Sequence, residues 1–555
     1  MKRSCVCLLL GALASFATAQ DFDLILRNGR IVDGTGNPWF VGDVAIRGNE
    51  IAAIERRIEG TAKRDVDVSG LVVAPGFVDI HSHSDWLLLE DGNAQGKIRQ
   101  GVTTEILGEG PSAGPFKGKV SPRVTISGDN RFEIRRLADY FDAVEKSGVS
   151  VNVASYVGLD SVWRCVMGSS HDQPSASDIE SMRNLVEEAM NDGALGLSCQ
   201  LMAPPGFLAK TDHVVALCEV VAEHDGIFST HIRNEGNGVF ESVKQAIEIG
   251  ERAGVPVDII HLKIADQEFW SRMNEVVALF EAARARGVNV QANVYPYTRG
   301  NNNLSSIVPP WAHEGGRIRL LERLQNPDTR QKMKADIRRG SDGWYNHFTA
   351  VGSDWSRMLV SANNKFRGQT MDKVMAERVQ GRDPVPDLLD ELFDFLLENK
   401  GSVSTVYAHH TEEDMTFALQ QPWCSVGSDG SAYAVAGELR RGNPHPRNFG
   451  TFPRLLGRYV RDQQLLTLED GIRKITSLNA AKIGLDRRGL LKTGHFADIT
   501  IFDAETIIDK ATFTDPFHYN EGIVYVFVNG ELVLDHDKHT NARPGRALRR
   551  NPVSQ

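Results

Sequence analysis

The chain has 555 residues, carries 62 Lys and Arg against 72 Asp and Glu for a formal net charge of −10, and is 41% apolar. That length exceeds one ordinary core and calls for several domains or a large barrel with additions, while the ordinary apolar and charged fractions exclude wholesale disorder. The acidic balance, with no long Lys/Arg patch, excludes nucleic acid and an anionic membrane surface as natural partners and directs attention to a small-molecule substrate.

The first residues form a signal peptide pattern over 1–19: Lys2 and Arg3 as the basic start, Val6 to Phe16 as the apolar stretch, and Ala17-Thr18-Ala19 as the cleavage site. The apolar stretch is too short to span a bilayer comfortably, so an exported protein, periplasmic or secreted, is expected, with no membrane role beyond export. Cys5 and Cys7 leave with that segment. Cys165, Cys199, Cys218 and Cys424 are scattered without a CxxC, which argues for buried inert thiols and against redox chemistry or a zinc ribbon.

Next, DLILRNGRIVDG and GDVAIRGNEIAAI alternate apolar and polar residues around Asn28-Gly29 and Gly48-Asn49, two hairpin turn signals. Eight short β-rich runs follow: Val72–Ile80, Thr103–Gly108, Val151–Gly158, Ala194–Leu201, Ile227–Ile232, Val257–Lys263, Val288–Tyr295 and Trp423–Ser428. Helix-period segments at Asp178–Asn191, Thr211–His224, Gly238–Ala253 and Glu268–Arg286 separate several of them. This alternation predicts an α/β fold, a (β/α)8 TIM-type barrel over 73–486. The gap before the eighth run is far longer than a normal βα connection, so 301–400 is expected to be an insertion on the catalytic face, with a helix near Asp387–Leu397. At the C-terminal end, FADITIFDAETI and IVYVFVNGELVL repeat the strand pattern around Asn529-Gly530. Neither end makes a stable sheet alone, which predicts a small composite β-sandwich domain built from 20–72 and 487–545.

The chemistry concentrates where the predicted strands end. APGFVDIHSHSD places His81 and His83 at i and i+2, on the same side of a strand. STHIRNEG supplies His231, DIIHLKIAD His261, VGSDG Asp429 and EILGEG Glu109. Each alone has an ordinary structural explanation, but their convergence on one face of a barrel points to a metal, and imidazoles with carboxylates suit Zn²⁺, one or two ions. Gly108-x-Gly110-x-x-x-Gly114 lacks the Gly-Lys-Ser/Thr ending of a phosphate loop and reads as a turn, and no G-x-S-x-G elbow supports a serine hydrolase. His213, His224, His536 and His539 read as surface residues, and His409-His410 as an ordinary pair placed where it could line the cleft.

At these motifs, joined by GVTTEILGEGPSAGP, GALGLSCQL, NVYPYTRGNNNLSS, HPRNFGTFPRLLGRY and TSLNAAKIGLDRRGLLKTGHFADITIFD, the chain resembles the amidohydrolase superfamily. Within it, the resemblance is to the D-aminoacylase (N-acyl-D-amino-acid deacylase) family and runs from about Asp23 to Leu534. It implies a metal-dependent hydrolase that cleaves the amide of N-acyl-D-amino acids through a metal-activated water. His81, His83, His231 and His261 would be metal ligands and Asp429 the proton-handling aspartate. Tyr295 would face the substrate carbonyl, Arg447 would hold the substrate carboxylate, and Asn301, at the base of a lid-like insertion, would help set acyl preference. One departure stands out. The family usually has a metal-binding cysteine after the second strand, in a segment like G-N-C-G, whereas this chain reads Gly108-Glu109-Gly110-Pro111. GALGLSCQL has no lysine to serve as a carboxylated bridge, so Glu109 is the expected bridging ligand. Two other readings share these residues: a dipeptidase acting before a C-terminal D-residue, and an inactive binding protein. The full set of ligands argues against the second.

Overall fold

The computed structural model describes residues 21–340, 344–362 and 364–550; the expected signal segment 1–19 lies outside them. Eight strand positions recur in chain order: β1 (Phe77–Asp79), β2 (Val102–Leu107), β3 (Asn152–Ser155, resumed at Val157–Gly158), β4 (Gly196–Gln200), β5 (Ile227–His231), β6 (Val257–Ile259), β7 (Val290–Val294) and β8 (Cys424–Val426). Each pairs parallel with its chain neighbour, and a parallel bridge from Ser82 to Gly430 brings the end of β1 beside the end of β8. Nearly all their residues are buried, as expected of parallel strands covered on both faces. Four amphipathic helices pack between them: α1 (Ala176–Asn191), α2 (Thr211–Glu223), α3 (Val239–Ala253) and α4 (Met273–Ala285). The first begins with a capping box, in which Ser175 and Asp178 satisfy each other's backbone N–H. All eight predicted runs thus carry a strand, giving a mixed α/β protein.

Two local expectations fail. Val72–Ile80 is not one strand: Val72–Pro75 pairs with Phe22–Ile31 and Ile499–Phe502, and the chain changes sheets at Gly76. A Cβ there would lie 2.2 Å from Thr103 Oγ1, so only glycine lets the backbone cross so close to β2. The N-terminal part of that sheet therefore extends to Pro75 instead of ending at 72. Asn28-Gly29 is likewise not a hairpin turn. Phe22–Ile31 is continuous through it, and the register shift between Leu26 and Gly29 marks a bulge, with Asn28 at φ 61°. Gly48-Asn49 and Asn529-Gly530 do connect antiparallel strands.

Strands from both chain ends join in one nine-stranded sheet, with Ile499–Phe502 against Val72–Pro75 as the seam. The inserted segment builds more than the expected helix. Antiparallel strands Gly300–Asn303, Met358–Val360 and Ser404–Tyr407 form a sheet, and an apolar core running from Leu304 to Tyr407 packs beneath it. Its last strand lies beyond residue 400. Cys165, Cys199, Cys218 and Cys424 are buried and unpaired. Among the described residues, no helix is long and apolar enough to cross a membrane.

Candidate metal centre

His81 and His83 follow β1, and their alternation on extended backbone sends both rings toward Asp429, which lies three residues beyond β8. Asp429 Oδ1 is 3.1 Å from His83 Nε2 and 3.6 Å from His81 Nε2, and one ligand atom from each of the three residues falls within 4.8 Å of the others. The main chain reinforces this approach, with Asp429 N–H donating to the His81 carbonyl at 2.8 Å. His231 ends β5 and His261 stands two residues past β6. Their rings lie 5.4 and 5.3 Å from that of His81 and 4.4 Å from each other. His261 and Asp429 both adopt positive φ (41° and 50°), an uncommon backbone state that tertiary contacts hold in place. For His261 these are its N–H to Asn293 Oδ1 and its carbonyl from Lys263 Nζ.

The electrostatics suit a cation. Burial holds His81 and His231 well below the ordinary imidazole range, so both are neutral donors of a lone pair. Both ring nitrogens of His81 are buried without a hydrogen-bond partner among the described residues. Burial alone would raise Asp429, but Arg447 and the surrounding imidazoles outweigh it and hold the carboxyl well below its usual value. Glu235 also stays ionised against its burial, through Lys263 (2.7 Å) and His261 Nδ1 (3.1 Å). An Nδ1–H directed at Glu235 leaves the Nε2 lone pair of His261 free, the tautomer a metal ligand needs. Lys263 Nζ, 2.7 Å from the same Nδ1, competes for that nitrogen. Unpartnered imidazole nitrogens beside an ionised carboxylate are a donor set that fits a transition metal.

Glu109 is not one of the His81–His83–Asp429 group. It is held between Gly108 and Gly110, both at positive φ, and its Oε1 accepts from Ser229 Oγ at 3.1 Å, two residues before His231. Its Oε2 is buried with no hydrogen-bond partner among the described residues, and burial pushes its carboxyl well above the ordinary range against the Ser229 hydrogen bond. The remaining expected residues converge on a cavity of about 510 Å³ above the histidines. Tyr295, immediately after β7, places there a buried hydroxyl without a hydrogen-bond partner among the described residues. Arg447 opens the helix Arg447–Arg454, with Nη1 2.8 Å from Asp429 Oδ2 and its guanidinium over the Tyr295 ring at 4.9 Å. Asn301 lies on the wall formed by the inserted segment.

Several groups at this site were not expected to belong to it from the sequence, His409 and His410 having read as an ordinary pair that could line the cleft. Lys263 and Glu235 line the cavity, as do His409 and His445, and His409 and His410 are both buried. Lys263 follows His261 at i+2, the same spacing that marked His81 and His83, so that rule could have found it. Lys97 had no such signal. It is fully buried beneath the centre, with Nζ 2.7 Å from Asp79, 2.9 Å from Ser428 Oγ, 3.0 Å from Ser82 Oγ and 3.4 Å from Glu105. This ammonium ties the loop carrying His81 and His83 to the loop carrying Asp429. Lys97→Met should leave two buried carboxylates unpaired and cost about 3–5 kcal/mol, read as a lower urea midpoint; an unchanged midpoint would show that the cluster is not a stabilising tie.

A parallel α/β array whose carboxyl ends gather histidines and an aspartate defines a metal-site α/β protein of the kind that places chemistry on its strand-end loops. A sequence model described as "Amidohydrolase family" matches residues 427–534. The chain is 34% identical to a D-aminoacylase of Alcaligenes xylosoxydans xylosoxydans, covering 97% of this chain and 99% of that one. It is 31% identical to an N-acyl-D-glutamate deacylase of the same organism, over 96% and 97% of the two chains. Among solved structures, it is similar to the N-acyl-D-glutamate deacylase of Bordetella bronchiseptica complexed with zinc and a phosphonate mimic of the tetrahedral intermediate (TM-score 0.77, 28% identity, 95% and 99% covered). It is also similar to a D-aminoacylase whose binuclear metal centre is described by one-metal activation and second-metal attenuation (TM-score 0.76, 31% identity, 95% and 100% covered). The chain belongs to the D-aminoacylase family of amidohydrolases.

Proposed function

We propose that the protein is a zinc-dependent hydrolase that cleaves the amide bond of N-acyl-D-amino acids. The observation that carries this is the buried, unpartnered His81 ring beside His83, Asp429, His231 and His261, below a cavity holding Tyr295 and Arg447. Those four histidines and Asp429 would hold one or two ions, and Glu109, a buried carboxyl whose Oε2 has no hydrogen-bond partner among the described residues, would be a further ligand. When bound, Zn²⁺ supplies Lewis acidity that polarises a carbonyl and acidifies water. Asp429 accepts the proton of the attacking water and delivers it to the leaving nitrogen. Burial pushes the Tyr295 hydroxyl well above its ordinary range, so it stays protonated and donates to the developing oxyanion. Arg447, whose Nε has no hydrogen-bond partner among the described residues, receives the substrate carboxylate.

The parallel order of β1 to β8 and the Ser82–Gly430 bridge support a (β/α)8 barrel over roughly 76–486, with a composite β domain from the two chain ends beside it. The Lys2-Arg3 start, apolar stretch and Ala-Thr-Ala site support export to the periplasm or the outside. A dipeptidase would need a free carboxylate for the substrate ammonium. Glu235 is engaged by Lys263 and Asp429 by Arg447, which favours an acyl group over an aminoacyl one.

On zinc-loaded protein, N-acetyl-D-amino acids should be hydrolysed well above their L-enantiomers and above dipeptides ending in a D-residue. Faster dipeptide cleavage would transfer the assignment to the peptidase, and hydrolysis of neither class would refute the proposal. Glu109→Ala should lower metal content measured by mass spectrometry, and full occupancy in that variant would remove Glu109 from the ligand set.

A further inference from the structure

The side chains that the inserted segment contributes to the cavity wall are uncharged, and hydrogen bonds orient the polar ones among them. Asn301 Oδ1 is held by the Ser361–Ser404 hydroxyl pair, with Ser361 Oγ donating to Ser404 Oγ at 2.8 Å and Ser404 Oγ donating to Asn301 Oδ1 at 3.2 Å, while Asn301 Nδ2 makes no hydrogen bond among the described residues. It therefore offers donors to the cavity. Asn302 Oδ1 accepts from the Asn303 backbone N–H at 2.7 Å, so its Nδ2 is the group that meets His347 Nε2 at 3.1 Å. His347 Nε2 must then accept, which puts the ring proton on Nδ1, a buried atom without a partner among the described residues. Burial holds this imidazole down at about 4, so it is neutral.

The opposite polarity comes from His409. His410 Nε2 lies 2.8 Å from the Tyr297 carbonyl and has to donate to it, which leaves His410 Nδ1 as a lone pair. His409 Nδ1, 3.0 Å away, must donate to that lone pair, so His409 Nε2 is an acceptor. That ring edge lies against Gly300, where a Cβ would come within 2.8 Å of Nε2, so glycine keeps it clear.

We infer that this wall selects N-acyl-D-amino acids whose acyl group or side chain, where it meets the inserted segment, is an uncharged group with both a hydrogen-bond donor and an acceptor, the primary carboxamide class. A carboxamide oxygen would accept from Asn301 Nδ2, and its NH₂ would donate to His409 Nε2. The inserted segment itself offers a carboxylate no cation, the cavity's Lys263, Arg441 and Arg447 standing on other segments, and an alkyl group would leave its donors and acceptor unpaired. The inference rests on the deacylase reading and deepens it.

The test compares kcat/KM across isosteric triples. One varies the side chain: N-acetyl-D-glutamine, N-acetyl-D-glutamate and N-acetyl-D-leucine. The other varies the acyl group on D-alanine: carbamoylacetyl, carboxyacetyl and butyryl. The carboxamide should exceed both companions by on the order of 10-fold or more in at least one triple, because a site built to hydrogen-bond rejects analogues that leave it unpaired. Asn301→Leu and His409→Phe should each reduce that preference to within about 3-fold while D over L selectivity persists. Preference for the acid or the alkyl member in both triples would overturn the inference, as would a carboxamide preference unchanged in both variants. Hydrolysis without carboxamide preference defeats this inference alone, whereas no hydrolysis of any N-acyl-D-amino acid defeats the deacylase reading and this inference with it.

Discussion

Asp429→Asn is expected to keep the fold and lose at least ~10²-fold in turnover. Asparagine is nearly isosteric with aspartate and tolerates the positive φ at this position, so the backbone N–H to His81 should survive. What it lacks is a basic oxygen. A carboxamide neither takes the proton of the attacking water nor returns it to the leaving nitrogen. The substitution also removes the negative charge 2.8 Å from Arg447 Nη1, leaving a buried guanidinium without its counter-ion. Steady-state kcat, measured together with metal content and a thermal midpoint, separates these effects. Near-wild-type turnover at full metal content would reduce Asp429 to a turn-forming residue.

Arg447→Ala should give the second large loss, in two parts. A buried guanidinium that grips the substrate carboxylate leaves that charge unpaired when removed, at about 3–5 kcal/mol, or at least ~10²-fold in kcat/KM. The same side chain also supports the ionised state of Asp429, so a substrate with its carboxylate replaced by a carboxamide should lose some activity as well, about tenfold for each 1.4 kcal/mol of that support. The account therefore predicts a larger loss on the acid than on its carboxamide, with neither at zero. Equal losses on the two would refute the carboxylate clamp. An untouched carboxamide would show that the ion pair with Asp429 contributes nothing to catalysis.

The parts of this molecule that were legible in the sequence are those set by local pattern. His81 and His83 share a face because extended backbone alternates, and the eight apolar runs carry strands because parallel strands buried on both faces need continuous apolar residues. That same continuity hid the break at Gly76. An apolar run contains no mark where the chain leaves one sheet for another, and the close approach of Thr103 is a tertiary fact. Asn28-Gly29 has the composition of a turn but serves a bulge, because flanking strand pairing overrides local turn chemistry. Lys97 stands in a segment, AQGKIRQG, that carries no strand-end motif; its burial is decided by Asp79 and Glu105 from two neighbouring strands. His409 looked ordinary because its role in the cavity depends on His410 and on a carbonyl more than a hundred residues earlier, at Tyr297. Asp429 was legible as a strand-end carboxylate, but its approach to His81 and His83 depends on bringing the last strand beside the first.

The most direct test of the account is removal and return of the metal on the intact protein. Protein stripped with a chelator and verified by mass spectrometry should hydrolyse neither enantiomer of an N-acetyl-amino acid. Stepwise addition of Zn²⁺ should restore hydrolysis of the D-enantiomer within one to two equivalents per chain. Undiminished D-specific hydrolysis by verified metal-free protein would contradict the account at its centre.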